Sequence, residues 1–432
     1  MNQLFEHDLR IETYQTLEAL ESVRSAWEAL LGDYPSATTF STWEWLAPWW
    51  RAFAKQQELL AIGFWRQQEL VGLAAMSVTK ERGKGGVPLR VLRLMGDGSG
   101  DSDNLDIPVR PEFAQGISQR LMEYLENNRR LWDVCQFNTL PSASCVVPHL
   151  VSLAEKRSWR VYQSERVASV IALPNTWEEY LQQLSSEDQK NLSRYARRME
   201  KRYKTRIYRI TQENELNPCL EALFRLHQER WEADGQTGSF GSVDRRDFYY
   251  DLSRALLSRG WLELWALELD GAIAAAQFAF RYRDAVYQLQ EGNDPQRSSD
   301  RVGFILRGEV MKQLIAEGVR VYDFLGGQPG YKARWGAKIA HYRDIHLARS
   351  ASLGSTYLSA LRAAGRTKEW LRKNLPQSAW GVLHKVNVGL RDDNGTRKPK
   401  AKDEEDANSS QSPSARPEIP VPAAKVNKKK EE

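Results

Sequence analysis

The sequence predicts an α+β fold built from two tandem halves, each a mixed, mostly antiparallel sheet flanked by helices. The first observation is a repeat: two apolar strands joined by a short polar turn occur at residues 59–78 and again at 262–281. The second is that each pair follows an aromatic helical segment and precedes a strand, a helix and another strand. The length of 432 residues agrees with two to three domains of about 150 residues.

The repeat defines the expected domain borders. The first half covers residues 1–165 and the second covers 166–350, followed by a basic helical extension at 351–391 and a disordered tail at 392–432. The tail is rich in Pro, Ser, Lys and Glu and has no aromatic residue, so it cannot bury enough apolar surface to offset its ordering entropy. Helices are expected at Ser355–Lys373 and Ser378–Val388, which pack on the body or lie on an anionic membrane.

The first half begins with a Trp-rich segment. After it come the hairpin at 59–78, a strand at Leu89–Met95, a helix at Pro111–Asn128 and a strand at Trp132–Phe137. The Trp-rich helix, Thr42–Phe53, has tryptophans at 43, 45, 49 and 50. Their spacing suits core packing, and a platform for stacking sugars is the alternative.

The second half follows the same order. It opens with a strand at Ala168–Leu173 and two helix starts at Thr176 and Ser185, the first of them a capping box with Glu179. Later elements are a helix at Asp244–Leu257, a hairpin turning at Asp270-Gly271, strands at Ala285–Glu291 and Val319–Leu325, and a helix between them at Ser299–Glu317.

Composition excludes several classes of protein. The longest unbroken apolar stretch, Leu70–Met76, is seven residues long, whereas a membrane-spanning helix needs roughly 20. The first ten residues hold two acids and no apolar core, so we expect no secretory signal and a cytoplasmic protein. Three cysteines without a CxxC pair and six scattered histidines predict neither a disulfide framework nor a metal site.

Positive charge is concentrated in two stretches. Residues 189–209 hold nine basic residues against Glu200, and residues 351–391 hold seven against Glu369. Such patches favour an anionic partner, namely a phosphorylated cofactor, nucleic acid or a membrane surface. The alternative is an ordinary solvated helix face.

Taken in order, these segments resemble the GNAT-superfamily acyltransferases of the CelD-like type, which are related to the FemAB peptidyltransferases. The resemblance covers about residues 40–348. In the first half it is carried by FSTWEWLAPWW, the first hairpin and LRLMGDGSGDSDNLDIPV. In the second half it is carried by SEDQKNLSRYARRMEKR, LHQERWEADGQTGSF and the segment from YQLQEGNDPQRSSDRVG to YDFLGGQPGYKARWG.

The resemblance implies a double GNAT fold with acyl-coenzyme A (acetyl-CoA) bound to the second half as co-substrate. Its diphosphate would lie at a helix start, where free amides and the helix dipole attract anions. The residues expected to line that site are Gly292, Arg297, Ser298, Ser299, Arg301, Val302 and Gly303. The usual Gln/Arg-x-x-Gly-x-Gly/Ala signature is altered here, because Asp300 stands at the first glycine. Asp300 is alternatively a plain first-turn acid that serves the helix dipole.

The resemblance also implies candidate chemistry in the cleft between the halves. Expected catalytic residues are Asp323, Lys332 and Glu291, since amine acylation needs a base and a stabilised oxyanion. Alternatively, Lys332 is a surface lysine and Asp323 caps a turn. Expected substrate-binding residues are His227, Trp231, Tyr331, Trp335, Arg194 and Arg198. His227 is alternatively a packed core histidine.

The expected function is N-acyl transfer to a small-molecule or glycan-precursor amine, such as an amino sugar or an exopolysaccharide or cell-envelope precursor. A FemAB-like transferase that takes its acyl group from aminoacyl-tRNA is one alternative. The other is a non-catalytic polysaccharide-assembly factor that keeps the fold as a binding module. Peripheral membrane contact through residues 351–391 is compatible with each, and the sequence predicts no oligomeric state.

Overall fold

One continuous sheet of twelve strands organises the computed structural model, which describes residues 9–233, 235, 238–327 and 330–374. Its strands are β1 (Leu9–Tyr14), β2 (Gln57–Arg66), β3 (Glu69–Arg82), β4 (Pro88–Leu94), β5 (Val134–Pro141), β6 (Arg160–Ala172), β7 (Thr205–Arg209), β8 (Leu262–Leu269), β9 (Ala272–Tyr282), β10 (Ala285–Asn293), β11 (Val321–Gly326) and β12 (Lys338–Ala348).

Helices cover both faces of this sheet. They are α1 (Leu17–Glu21), α2 (Arg24–Asp33), α3 (Trp43–Phe53), α4 (Ala114–Asn127), α5 (Val147–Lys156), α6 (Trp177–Gln183), α7 (Ser186–Arg202), α8 (Glu213–Ala233), α9 (Val243–Ser258), α10 (Val302–Ala316) and α11 (Leu353–Asn374). In the described part of the chain, no helix is both long enough and apolar enough to span a bilayer. The helix expected at Ser378–Val388 and the tail at 392–432 lie outside the described residues.

The two halves exchange their last strands. The sheet order is β1-β2-β3-β4-β5-β12-β6-β11-β10-β9-β8-β7. The first half contributes β1–β6 and the second contributes β7–β12. In the sheet, β12 lies between β5 and β6, and β6 lies between β12 and β11, so the last strand of each half is inserted into the other half. The two exchanged strands, β6 and β12, pair antiparallel along the full length of β12, from Lys338 opposite Val170 to Ala348 opposite Arg160. The expected border at residues 165 and 166 therefore lies inside β6.

Most local predictions are confirmed. The repeated hairpins are β2–β3 and β8–β9, and Asp270 and Gly271 turn with φ of +52° and +88°, as a two-residue hairpin requires. The side chains of Thr176 and Ser185 accept backbone hydrogen bonds at the starts of α6 and α7. The mixed sheet flanked by helices is also confirmed, although it is one shared sheet rather than two.

The Trp-rich helix α3 is a core element. Trp43, Trp45 and Trp49 are buried, and Trp45 packs edge-on against Phe248 of α9 at 5.5 Å between ring centroids. Those rings contribute to a core that continues from the first half into the α8–α9 side of the second half. A second core lies between the second-half strands and α6, α7 and α10. The buried tryptophans leave no exposed rings at 43, 45 and 49 for stacking sugars.

Candidate functional site

Strands β10 and β11 form a wedge. They run parallel but pair at three positions only, ending where Tyr287 lies opposite Asp323. A bulge between Gln288 and Gln290 follows in β10, which then continues to Asn293 paired with β9. Because an unpaired strand edge presents free N–H and C=O groups, β10 can hydrogen-bond a ligand in the wedge beyond the bulge.

The wedge leads to an uncapped helix start. β10 continues through a 3-10 turn, Pro295–Asp300, and through Arg301, whose φ is +57°, into α10. No side chain caps α10. The amides of Val302 and Gly303 belong to the first helical turn, which has no intrahelical acceptors for its N–H groups, so this terminus can bind an anion.

Asp300 does not cap that helix. Its carboxylate, 5% exposed, accepts hydrogen bonds from Arg202 at 3.0 Å and from the Tyr203 hydroxyl at 2.9 Å. The guanidinium of Arg198 lies 3.5 Å from the same carboxylate. Asp300 therefore ties the end of α7 to the turn before α10, and the interpretation of Asp300 as a first-turn acid serving the dipole is corrected.

Arginines surround the start of α10. Arg198 donates to the backbone carbonyl of Ser299, and Arg297 lies over the Tyr203 ring at 5.0 Å while pairing with Asp294 at 3.3 Å. A hydrogen bond from Arg194 lowers the pKa of Tyr195, and Arg301 contributes to the same shift. The residues that the structure brings together here are Arg194, Arg198, Arg202, Arg297, Ser298, Ser299, Arg301, Val302 and Gly303. This set combines fixed positive charge with free helix amides, which suits phosphate groups.

The two glycines of the site meet different neighbours. A Cβ on Gly303 would lie 2.2 Å from Oδ1 of Asn293, so the Asn293 side chain covers the first turn of α10. A Cβ on Gly292 would lie 2.8 Å from the carbonyl oxygen of Leu223 in α8. Gly292 thus allows β10 to approach a helix closely, and this packing accounts for its lack of a side chain.

The Gly292→Ala variant is expected to lose about 1–3 kcal/mol of unfolding free energy, because the new methyl group must displace the backbone of α8. The matched control is Gly32→Ala in α2, where a Cβ meets nothing within 4 Å. That control should be neutral or gain up to about 1 kcal/mol from helix propensity. Urea denaturation of both variants measures the difference, and an unchanged midpoint for Gly292→Ala would contradict the close approach.

Asp323 is a buried carboxyl group at the end of β11. It is 6% exposed, and its Oδ1 accepts a hydrogen bond from the amide of Leu325 at 2.7 Å. Burial raises the pKa of Asp323 to about 7, with Asp103 adding to the rise while Lys332 opposes it. A carboxyl group that titrates near neutral pH is suited to accept a proton from an amine.

Lys332 lies beside Asp323 but is fully engaged. Its Nζ donates to the carbonyl oxygens of Phe324 at 3.2 Å, Leu325 at 3.4 Å and Gly326 at 3.0 Å. Burial lowers the pKa of Lys332, and Asp323 partly counteracts this effect. The lysine therefore holds the turn after β11, and it is not the surface lysine of the alternative interpretation.

A loop from the first half reaches this turn. Asp103 accepts a hydrogen bond from the amide of Gly326 at 2.9 Å, and burial raises its pKa. The indoles of Trp45 and Trp49 donate at 3.0 Å to Ser102 and Ser99 of the same loop, so α3 fixes its position. This loop is part of the segment LRLMGDGSGDSDNLDIPV, and none of its residues was predicted to be functional. The available signal was a glycine-rich run with four aspartates between residues 97 and 106.

Asp101 gives the loop a second contact with the other half. Its Oδ1 accepts from the Tyr249 hydroxyl at 3.1 Å, and its Oδ2 lies 3.2 Å from the guanidinium of Arg245. Burial raises the pKa of Asp101, while Arg245 acts in the opposite direction. The loop of the first half is therefore anchored at two places in the second half, at α9 through Asp101 and at the end of β11 through Asp103.

Glu291 is separated from Asp323. Its carboxylate forms an ion pair with Arg307 of α10 and accepts a hydrogen bond from the side-chain amide of Asn293 at 2.7 Å. Side chains alternate along a strand, and Tyr322 and Phe324, on either side of Asp323, belong to the core on the α10 side, so Asp323 lies on the opposite face. Because Glu291 pairs with Arg307, it lies on the α10 face of the sheet, whereas Asp323 lies on the other face.

On α8, the buried His227 is hydrogen-bonded to the half-buried Trp231. Nε2 of His227 accepts a hydrogen bond from the Trp231 indole at 2.9 Å. Burial lowers the pKa of His227 to about 4, so the imidazole is neutral at pH 7. This arrangement is the packed histidine of the alternative interpretation, next to the backbone of Gly292.

Tyr331 and Trp335 differ in accessibility. Tyr331 is 47% exposed, and its ring centroid lies 5.0 Å from the Arg307 guanidinium. Trp335 is 3% exposed, packs on Phe304 at 4.8 Å, and its carbonyl accepts from the Tyr180 hydroxyl at 2.9 Å. Tyr331 can therefore contact a ligand, whereas Trp335 supports the turn from below.

Potential metal ligands and thiols also occur in the described residues. No group of three His, Cys, Asp or Glu side chains there is arranged to hold a metal ion. Cys135 and Cys219 are buried, and burial raises the pKa of Cys219 to about 12. A thiol with such a pKa is a poor nucleophile near neutral pH.

Comparisons with known proteins found a family model and several solved structures that are similar to this chain. Residues 186–333, which contain β10, α10 and β11, match the family model of the acetyltransferase (GNAT) domain. Among solved structures, FemX matches with a TM-score of 0.55 and 12% identity over 77% of this chain and 96% of its own. No curated protein matched.

Two further solved structures match over similar lengths. The C-terminal domain (DUF2156) of a putative lysylphosphatidylglycerol synthetase from Agrobacterium fabrum has a TM-score of 0.45 and 12% identity, over 80% of this chain and 96% of its own. A tandem GNAT protein from the clavulanic acid biosynthesis pathway has a TM-score of 0.43 and 12% identity, over 78% and 98%. The family model and the FemX match lead to one conclusion: residues 186–333 match the acetyltransferase (GNAT) domain, and the fold of the chain is similar to that of FemX.

Proposed function

We propose that the protein is an N-acyltransferase that moves an acyl group from acyl-CoA to an amine. The observation that carries the proposal is the wedge between β10 and β11, which leads directly to the uncapped, arginine-lined start of α10. A thioester donor has a carbonyl group and a diphosphate on one flexible arm. The wedge offers strand amides to the carbonyl, and the helix start offers positive charge to the diphosphate.

The donor site is assigned to residues near the start of α10. Amides of Val302 and Gly303 would face the diphosphate, with Arg198, Arg297 and Arg301 supplying charge. When bound, acyl-CoA would provide an activated thioester carbonyl next to the open edge of β10. The chain's part is to bind and orient this group, since amines attack thioesters directly and need no covalent enzyme intermediate.

Asp323 is assigned as the general base. The amine nitrogen attacks the thioester carbon, the C–N bond forms and the C–S bond breaks, and the proton lost by nitrogen passes to Asp323. The sulfur leaves as thiolate and takes a proton from solvent. Lys332 holds the turn that carries this carboxyl group, and Glu291 supports the wedge through Arg307.

The acceptor enters between the halves in this proposal. Asp103 and Asp323 lie together there, and their carboxyl groups favour an amine. The choice of an amino sugar or another exopolysaccharide or cell-envelope precursor as acceptor is supported by the family resemblance alone. Tyr331, which is exposed, is assigned to the wall of this acceptor site, whereas His227 and Trp231 pack on each other along α8.

A second candidate donor is aminoacyl-tRNA, as in a FemAB-like transferase. It is favoured by the row of exposed basic side chains on α7, which includes Lys190, Arg194, Arg197 and Lys201. The double GNAT fold shared with FemX is compatible with it. The non-catalytic assembly factor remains the third candidate, and donor binding distinguishes all three.

The donor experiment compares two neighbouring arginines. We expect acetyl-CoA to raise the melting temperature of the wild type, and Arg198→Ala to weaken its affinity about tenfold, because Arg198 reaches the turn before α10. Arg197→Ala is the matched control, an exposed arginine on the same helix, and should bind as the wild type does. Calorimetric titration with acetyl-CoA, CoA, longer acyl-CoA esters, total tRNA and a soluble glycan gives the dissociation constants.

Each outcome selects one candidate. Binding of a thioester that depends on Arg198 but not on Arg197 supports the proposal. Binding of tRNA alone, weakened by either variant, would move the assignment to aminoacyl transfer. No binding of any donor, together with binding of a glycan, would leave the assembly factor.

A further inference from the structure

The turn at the end of β11 is held from both halves of the molecule. Leu325 adopts φ of +60°, a left-handed conformation that leucine rarely takes. Its amide donates to Asp323, and the next amide, that of Gly326, donates to Asp103 of the first half. Lys332 binds the carbonyl groups of the same turn. Strained backbone persists only where its surroundings fix it, so these contacts define the geometry of the turn.

We propose that Asp103 is a positioning residue for acyl transfer: it crosses from the first half, fixes the turn that carries Asp323, and sets the charge state of that carboxyl group. The inference rests on the proposed function above. The inference goes beyond that function because it assigns a residue that positions the general base to the first half, which lies outside the matched residues 186–333.

The electrostatic surroundings support this assignment. Asp323 is faced by groups from four segments, namely Asp103 and Asn104 from the first-half loop, Tyr287 from β10, Lys332 from the 3-10 turn and Tyr342 from β12. Asp103 is faced in addition by Arg166 of β6 and Asp344 of β12, which form an ion pair with each other. Two neighbouring carboxyl groups resist ionising together, and here one lysine is shared between them.

The sign of the coupling follows from protonation. The folded-state pKa of Asp323, about 7, lies above its ordinary value. The carboxyl group therefore contributes stability when protonated, and this contribution is lost as pH rises from about 4 to about 7. At pH 5 Asp323 is protonated and exerts no charge repulsion on Asp103. At pH 8 both groups are charged, and each destabilises the other.

A double-mutant cycle on the full-length protein tests the inference without any substrate. Asp103→Asn, Asp323→Asn and the double variant are melted at pH 5 and pH 8, and asparagine keeps an acceptor for each turn amide. At pH 8 each single substitution relieves the repulsion and raises the melting temperature. The melting temperature of the double variant should therefore rise by less than the sum of the two single increases, with a difference of roughly 2 °C or more. At pH 5 the cycle should be additive. In the control cycle, Asp33→Asn replaces Asp103→Asn. Asp33 is an exposed carboxylate on α2, and the effects of Asp33→Asn and Asp323→Asn should add at both pH values.

A purely structural role for Asp103 would give the same non-additivity at both pH values, and that result would overturn the inference. The kinetic arm measures kcat/KM against pH with an acyl-CoA and an accepted amine. Removing the Asp103 charge should move the midpoint of the profile downward by about one pH unit. If the double-mutant cycle depends on pH but the midpoint of the kcat/KM profile does not move, Asp103 affects only the stability of the fold. That result would overturn its role in the reaction. Absence of turnover with every donor would instead count against the proposed function, while the cycle would still report the coupling.

Discussion

Replacing Asp323 with asparagine is expected to slow acyl transfer at least about 100-fold at pH 7.5. The physical reason is the loss of the group that takes the proton from the attacking amine. Asparagine has nearly the same shape, and its side-chain oxygen can accept the Leu325 amide bond that Asp323 now accepts. The fold should therefore be retained, so the loss of rate reports the proton transfer.

The pH profile distinguishes this role from a structural one. Since the pKa of Asp323 is raised to about 7, wild-type kcat/KM should increase with pH up to about 7 and level off above it. The Asp323→Asn variant should lack this rising limb and remain low throughout. Release of the free thiol from acyl-CoA, recorded between pH 5.5 and 9 with an accepted amine, measures both profiles.

A neutral change elsewhere provides the control. Asp284→Asn removes an exposed carboxylate from the turn between β9 and β10 and should leave rate and profile unchanged. If Asp323→Asn behaved like this control, the proton would leave by another route. The buried carboxyl group would then be a structural feature of the turn.

Local structure could be predicted from the sequence because its signals are local. Two apolar segments joined by the Asp270-Gly271 turn identified the second hairpin, and Thr176 and Ser185 identified two helix starts. The exchange of β6 and β12 could not be predicted in this way. Both strands are adjacent in sequence to their own half, and only long-range pairing decides which neighbours they take.

The site was predicted in part for the same reason. Asp323 and Lys332 belong to one closing segment, nine positions apart, and the structure brings their side chains together, while their roles in the reaction stay predictions. Asp300 looked like a helix cap, but Arg202 and Tyr203 bind its carboxylate in the folded protein, so a tertiary contact replaced the local one. Asp103 was missed because nothing in its spacing relates residue 103 to residue 326.

Removing the guanidinium of Arg307 is expected to cause the largest loss of stability, about 3–5 kcal/mol for Arg307→Met. Arg307 and Glu291 pair across the interior, with side chains 6% and 13% exposed. Burial alone would lower the pKa of Arg307, but the Glu291 carboxylate, together with Tyr331 and Tyr322, outweighs burial and raises it. The variant leaves that carboxylate in the interior without a counter-charge, and urea denaturation at pH 7.5 measures the loss.

The double variant separates the cost of an unpaired charge from the value of the pair. Glu291→Gln combined with Arg307→Met leaves no buried charge, and methionine can pack among Phe324, Tyr331 and Trp335, which now surround the guanidinium. The double variant should therefore be more stable than Arg307→Met alone. Arg320→Met, at an exposed arginine, is the control and should change stability by less than about 0.5 kcal/mol.

The stability of the double variant relative to Arg307→Met has two possible outcomes, and each has a different physical meaning. If the double variant recovers much of the loss, the pair contributes little net energy, and Arg307 is needed chiefly because Glu291 is buried behind the wedge. If the double variant is as unstable as Arg307→Met, the contacts of the guanidinium with the three aromatic rings are what stabilise α10 against the sheet. The second result would contradict the expectation, and it would predict that Arg307→Lys, which keeps the charge but loses the planar group, is also strongly destabilised.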